Sequence, residues 1–205
     1  MKIPSSSVSR ISLYYRTVLA IKDKKVISSQ DIALLAGFSA AQVRKDLAYF
    51  GQFGTPGRGY SIELLKKELK KILGTDREWD VAIVGVGNLG SALLAYKGFK
   101  HQGFNIRYAF DNDAKKINKI KQGVRIRPIQ ALKQVVKANK IDIAIVAVPH
   151  EAAQDVIDML IASGIKAILN FAPKRPKVPE NIELLNIDLS IELERLTYFL
   201  QRGKR

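Results

Sequence analysis

Three glycines, Gly85, Gly87 and Gly90, stand in the run GVGNLG, directly after the apolar stretch DVAIV and directly before the apolar stretch that opens GSALLAY. In that setting each glycine serves a different purpose. Gly85 permits a tight turn, Gly87 lets a pyrophosphate approach the backbone, and Gly90 lets helix and strand pack closely. Asn88 and Leu89 complete the turn. The chemistry is phosphate binding, because the helix that follows points free N–H groups and a partial positive charge at the ligand. About twenty residues further on, Asp111 ends the run NIRYAFD, where a carboxylate accepts the ribose hydroxyls of an adenine dinucleotide. A 2′-phosphate there meets like charge, so the pattern predicts NAD(H) over NADP(H), although Lys115 and Lys116 nearby weaken the preference. Glycines that merely pack, and a site for coenzyme A or a mononucleotide, are the competing readings.

A second group of residues suits a polyanion of another kind. Ala33, Gly37 and Val43 have the spacing of a helix-turn-helix: a small residue where two helices touch, a glycine in the turn, and a buried β-branched residue in the second helix. The outer face of that second helix carries Ser39, Gln42, Arg44, Lys45 and Tyr49, types that reach bases and phosphates in a major groove. Arg58, between Gly57 and Gly59, suits a narrow minor groove. An ordinary three-helix bundle for protein contact is the alternative. His101 and His150 are the two histidines; His150, after Pro149, stands where a dehydrogenase places a proton-transfer residue, but a loop residue beside a cofactor is the simpler reading. Neither a nucleophile triad nor a cluster of metal ligands is present in the sequence.

These side chains need elements to hold them. Apolar residues at Val8, Ile11, Tyr15 and Val18 predict a first helix over 8–22, entered through serines able to cap it. A second helix is expected over 29–36, stopped by Gly37, and a third from Ser39 to about Tyr49, with Ser39 and Gln42 forming a capping box. GQFGTPGRGY, with four glycines and a proline in ten residues, predicts a hairpin wing. A helix over 61–73 closes this first domain, and 74–79 reads as a linker. From Asp80, β-branched runs (DVAIVG, NIRYAFD, IDIAIVAVP, IKAILNF and 183–187) alternate with helical segments (GSALLAYKGF, 129–138 and 151–163), the pattern of a parallel sheet covered on both faces. Leu189, Leu193, Leu196 and Leu200, with Phe199 beside them, form a helical stripe that must be buried on its own domain or on a partner.

Composition bounds the rest. With 205 residues and 47% hydrophobic content the chain can form two modest cores. The net charge of +15 attracts nucleic acid or an acidic surface. Residues 1–60 hold nine Lys and Arg against three Asp and Glu, so the first domain shares in that excess. The absence of cysteine excludes disulfides, thiolate metal sites and a cysteine nucleophile, and any redox chemistry must come from a ligand. Neither a leader-like apolar region nor a stretch long enough to cross a bilayer is present, so a cytoplasmic protein is expected.

With a winged helix, then GVGNLG and Asp111, then an amphipathic C-terminal helix, the chain resembles the Rex family of redox-sensing transcriptional repressors along nearly its whole length. The resemblance rests on VRKDLAYFGQFGTPGRGY, on the glycine pattern from Gly85 to Tyr96, on Val148 to Gln154, and on NFAP from Asn170 to Pro173. It implies an α/β chain with a winged helix-turn-helix domain over 1–75, a Rossmann domain over 80–188 and a domain-swapped dimerisation helix over 189–205. It also implies a homodimer that binds a pseudo-palindromic operator and is released by NADH, with Arg16 pairing with Asp188 of the partner subunit in one state and Tyr96 engaging that aspartate in the other. The NFAP segment adds Asn170 to the cofactor residues. Independently of the family, NADH and NAD+ differ by a hydride and a positive charge, so discrimination requires an apolar or positive surround; Val148, Pro149 and Phe171, at strand ends, supply its apolar part. A repressor sensing the NADH/NAD+ ratio, without enzymatic activity and without a metal or membrane partner, is the expectation. An NAD-dependent oxidoreductase with a DNA-binding head, and a DNA-bound sensor of another nucleotide, are the rivals.

Overall fold

The computed structural model describes residues 3–54 and 58–202, and they form two compact units, one up to Arg77 and one from Glu78 onward. In the first, α1 (Ser5–Leu19) begins after Pro4 and buries Ser7, Ile11, Tyr14 and Val18. This corrects the expected stripe. The helix starts three residues early, its first turn lacks a side-chain cap, Val8 is exposed, and Tyr15 lies only half-buried beside the core. Two adjacent tyrosines offer two helical phases, and the phase chosen is the one that brings Tyr14 to a buried carboxylate described below.

The next helices follow their caps. Ser28 and Asp31 form a reciprocal capping box at the start of α2 (Ser29–Ala36), and Gly37 ends it with φ 75°, a conformation that glycine adopts without a Cβ penalty. Ser39 caps α3 (Ala40–Ala48) by accepting from the Gln42 amide. The return half of the expected box is missing, because the Gln42 side chain turns to Asp46 instead. At the end of the glycine-rich run, β2 (Tyr60–Ser61) pairs antiparallel with β1 (Val26–Ile27), and the turn of the expected hairpin wing falls on Thr55, Pro56 and Gly57, which lie outside the described residues. A Cβ on Gly54 would stand 2.7 Å from the Gly59 carbonyl, and one on Gly59 would stand 2.6 Å from that of Ile27, so both glycines are needed where backbones meet. Ser61 caps α4 (Ile62–Ile72), which buries Ile62, Leu65 and Leu69 against Ile11, Val18, Ile32, Val43 and Leu47.

The second unit is built from β3 (Trp79–Val84), α5 (Asn88–Ala95), α6 (Lys97–His101), β4 (Phe104–Asp111), β5 (Ile120–Lys121), β6 (Val124–Pro128), α7 (Leu132–Asn139), β7 (Ile143–Val146), α8 (Ala153–Ser163), β8 (Ala167–Asn170), β9 (Glu183–Asn186) and α9 (Leu189–Arg202). The sheet order is β5-β6-β4-β3-β7-β8-β9. Among the described strands of this sheet only the β5–β6 pairing is antiparallel. The six parallel strands have the 3-2-1-4-5-6 order of a doubly wound dinucleotide fold, whose strand order reverses between β3 and β7. Apolar clusters around Phe110, Ile157 and Leu160, and around Ile83, Ala109 and Ile126, cover the two faces.

Two local features depart from expectation. The helix expected through GSALLAYKGF breaks at Tyr96, whose backbone is extended (φ −74°, ψ 103°). Its ring folds over Gly98, in the space a Cβ there would need, and packs edge-on against Phe99 at 5.0 Å. The β5–β6 hairpin has no counterpart in the sequence pattern, since its strands carry Lys and Arg and bury one side chain, Ile126.

Candidate functional site

The glycine turn lies at the carboxyl end of β3, beside the point where strand order reverses. Gly85 has φ 91°, and a Cβ on it would sit 2.5 Å from the Ala147 carbonyl. A Cβ on Gly90 would overlap the Gly85 carbonyl oxygen, whereas one on Gly87 would have nothing within 4 Å. The glycines that pack and the glycine that leaves room are thus distinct. The open side belongs to Gly87, at the N-cap of α5, where free amide groups face outward and a pyrophosphate fits. Asn88 and Leu89 are exposed in the first turn of that helix.

Asp111 closes the other side. It is buried, and its carboxylate accepts from the Val86 amide at 2.8 Å, the Asp113 amide at 2.9 Å and the Lys116 ammonium at 3.1 Å. Burial alone would raise its pKa; the two amides and the Lys116 cation outweigh that and hold it below the usual carboxylate range. Lys116 also lies 3.8 Å from Asp113, so its charge is shared between two carboxylates. Between these groups opens a cleft of about 340 Å³ lined by Gly85, Gly87, Asp111, Asn112, Lys116, Ile129, Ala147, Val148, Pro149, Val156 and Met159. An apolar wall with a few convergent polar groups is the usual make-up of a cofactor site. Val148 and Pro149 therefore join the glycines and Asp111 in one cleft.

Asn170 and Phe171 do not line that cleft. Asn170 is fully buried, and its carboxamide donates to the carbonyls of Ala172 and Lys174 and to Asn186 Oδ1 while accepting from the Ala172 amide. Its polar atoms shape the loop after β8. Phe171 is half-buried against the cluster around Ile83 and Val86. Sequence reasoning missed Asn112, Ile129 and Met159, which carry no motif of their own. His150 is exposed in a short 3₁₀ turn after Pro149, and His101 is exposed at the end of α6. Among the described residues no group of three His, Cys, Asp or Glu could hold a metal, and no helix is long and apolar enough to cross a membrane.

In the first unit α3 presents Arg44 and Lys45 to solvent, with Ser39 exposed at its N-cap and Tyr49 half-buried at its C-cap. Arg44 donates to Ser29 Oγ at 2.9 Å. A groove of about 510 Å³ runs between α3 and the glycine loop, lined by Ser28, Ser29, Arg44, Gly54, Gly59 and Tyr60 among others. Arg58 is exposed beside it. The inner face of α3 holds a residue that the sequence reading passed over. Asp46 is fully buried and accepts from Arg10 Nε at 2.6 Å, Arg10 Nη2 at 2.8 Å, Tyr14 Oη at 2.9 Å and Gln42 Nε2 at 3.0 Å. Burial pushes its pKa up, but the Arg10 guanidinium and the other donors prevail and bring it down to about 2. Tyr14, desolvated and donating to that anion, is pushed up. The signal available was a lone acid four residues after Gln42 on a basic helix.

Arg16 is exposed on α1, Tyr96 is exposed between α5 and α6, and Asp188 accepts from the Ser190 amide at 2.9 Å at the start of α9. Every residue of α9 from Leu189 to Arg202 is exposed, including Leu193, Leu196, Phe199 and Leu200.

A four-helix unit that presents Arg44 and Lys45 from α3, carried on the same chain as a doubly wound dinucleotide fold, defines a nucleotide-responsive transcriptional regulator. Residues 2–48 match the model of a putative DNA-binding protein N-terminus, and 76–174 match that of a CoA binding domain. A redox-sensing transcriptional repressor Rex of Desulfitobacterium hafniense is 49% identical over 97% of this chain and 95% of its own. One of Streptomyces coelicolor is 39% identical over 98% and 78%. The chain belongs to the Rex family of redox-sensing transcriptional repressors. Among solved structures, RSP in complex with β-NAD+ and operator DNA matches with a TM-score of 0.95 at 35% identity, covering 100% of this chain and 95% of that one. RSP in complex with β-NADH matches at 0.89 and 34%, covering 100% and 97%.

Proposed function

We propose that this protein is a transcriptional repressor that binds a pseudo-palindromic operator as a homodimer and is released by NADH, so that it follows the cytoplasmic NADH/NAD+ ratio. Its role is regulatory and not catalytic. The observation that carries the reading is the cleft between Gly87 and Asp111, on a chain whose fold matches RSP both with NAD+ and operator DNA and with NADH. In this reading Ser39, Gln42, Arg44, Lys45, Tyr49 and Arg58 meet the duplex. Gly85, Gly87, Asn88, Leu89, Gly90, Asp111, Val148, Pro149, Asn170 and Phe171 form the dinucleotide site, the last two from the loop after β8.

Residues 1–75 act as the DNA-binding domain, 80–188 as the dinucleotide domain and 189–205 as the dimerisation helix. The bare apolar face of α9 supports this division, since exposed leucines on one helix face call for cover. Exchange of α9 between subunits supplies it, and brings Arg16 to Asp188 of the partner subunit in the DNA-competent state and Tyr96 to that aspartate when NADH is bound. Coenzyme A is the second reading, favoured by the family model over 76–174. Against it, a phosphate on the adenosine ribose meets the Asp111 carboxylate, and the Lys116 cation at that carboxylate is already shared between two acids. A gel-shift titration of operator DNA with NADH, NAD+, NADPH and coenzyme A tests both. Release by NADH alone is expected; equal retention under NADH and NAD+ would overturn the reading.

A further inference from the structure

One side chain on the outer part of α3 has its hydrogen-bonding polarity set from behind. Gln42 stands in the first turn of α3, the part of a reading helix that meets base edges. Its Nε2 donates to Asp46 Oδ1 at 3.0 Å. That orientation is compulsory. Asp46 is ionised and an ionised carboxylate only accepts, so a Gln42 oxygen turned inward would oppose two acceptors in a buried place. Nor can the carboxylate turn away, because Arg10 grips both of its oxygens and Tyr14 donates to Oδ2. Outward, Gln42 therefore offers Oε1, to which no group among the described residues donates, and the second hydrogen of Nε2. An acceptor and a donor stand side by side in a fixed order.

We infer that Gln42 is a specificity-determining residue that reads adenine in the operator, Oε1 accepting from N6–H and Nε2 donating to N7, and that Asp46, clamped by Arg10 and Tyr14, is the positioning residue that sets this order. The inference rests on the reading that α3 enters the major groove. Adenine is the base whose major-groove edge offers a donor beside an acceptor. Guanine presents two acceptors, O6 and N7, and a free glutamine can pivot to aim its NH2 group at them with Oε1 turned away; a clamped one sets Oε1 against O6. Thymine O4 repels Oε1 in the same way, and cytosine supplies only a single bond.

Selection of bound sequences from randomised operators, with the wild-type chain and Gln42→Met, tests this. An A·T preference at one base-pair position of each half-site falls by roughly 5- to 150-fold in the variant, the range one bidentate pair supplies, and other positions keep theirs. Replacing that adenine by 7-deazaadenine, which lacks N7, or by purine, which lacks the N6 amine, weakens the wild-type complex and leaves the Gln42→Met complex unchanged. Asp46→Asn keeps Gln42 but faces it with a group that both donates and accepts, so guanine becomes tolerated there; should that variant unfold, the two modified bases decide alone. A Gln42→Met profile with no relaxed position, a relaxed position that specifies a G·C pair, or equal cost of the modified bases to both proteins overturns the inference and spares the repressor reading. Failure of the wild-type chain to select any sequence overturns both.

Discussion

Replacing Arg10 by methionine leaves Asp46 as a buried anion without its cation, and the size of the effect follows from the geometry. Two charge-assisted bonds, at 2.6 and 2.8 Å, disappear. Breaking a buried pair by deleting one member costs about 3–5 kcal/mol. Arg10 keeps 20% of its side chain in solvent, and Tyr14 and Gln42 remain as donors, so about 2–3 kcal/mol is expected. Asp46's own linkage agrees: a pKa brought from 3.8 to about 2 corresponds to roughly 2 kcal/mol at ~1.4 kcal/mol per tenfold. At ~4–8 °C per kcal/mol for a domain of this size, the melting point of the first unit drops by roughly 10–20 °C. The sign with pH is fixed too. A native pKa below the unfolded one gives stability that is complete above about pH 4 and lost as pH falls through about 2. In Arg10→Met, burial acts on Asp46 with less to oppose it and its native pKa rises, so the gap between wild type and variant is full at neutral pH and narrows in acid. Urea unfolding of both proteins, from neutral pH down to about pH 3, measures it. A gap under about 0.5 kcal/mol, within the range of ordinary surface substitutions, or one that stays constant into acid, refutes the account of Asp46.

Gly87→Ala and Gly90→Ala separate space for ligand from space for packing. The first has nothing within 4 Å of its new methyl, so thermal stability holds while NADH affinity, measured by calorimetry, falls by about tenfold or more (~1.4 kcal/mol or more). The second meets the Gly85 carbonyl and costs about 1–3 kcal/mol of stability, read by denaturant unfolding. Asp111→Ala removes the acceptor of the Val86 amide and weakens NADH and NAD+ by the same factor; calorimetry with both forms checks that their ratio is kept. Alanine at both Arg44 and Lys45 abolishes operator binding in a gel shift with NADH affinity intact. If α9 pairs two copies as proposed, the wild-type chain sediments as a dimer and aspartate at Leu196 and Leu200 converts it to monomer in sedimentation velocity.

Elements marked by backbone necessity were legible in the sequence. Gly37 ends α2, Ser39 opens α3, and Gly85 and Gly90 stand where backbone carbonyls come too close for a Cβ. What was not legible depended on partners remote in the chain. The phase of α1 is set by Tyr14 reaching Asp46, 32 residues away, so a helix read by its apolar residues alone favoured Val8 and Tyr15. A charged residue reads as solvent-facing by default, and that hid Asp46. The β5–β6 hairpin buries too little to show an alternation. Asn170 belonged to a motif segment, but the motif does not reveal its bonds to Ala172, Lys174 and Asn186, which depend on how the loop after β8 folds back.

The division of labour in the cleft limits where redox sensing can occur. In the proposed reading Asp111, the Val86 amide and the glycine turn face the adenosine and phosphate part of the ligand, which is identical in NADH and NAD+. Binding energy supplied there favours both forms equally, and a ligand with equal affinity for two states shifts neither, however tightly it binds. Discrimination falls to the groups beyond the turn, where Val148 and Pro149 offer an apolar wall that disfavours a positively charged ring. Moving the protein from almost wholly DNA-competent to almost wholly released takes about 5.5 kcal/mol of differential binding. Shared between two subunits, that is roughly half at each cleft, a magnitude within reach of desolvating one charge against an apolar surface. Under the proposed dimer such coupling halves the selectivity each cleft must provide, which gives a physical reason for a second copy of the chain to cover the bare face of α9.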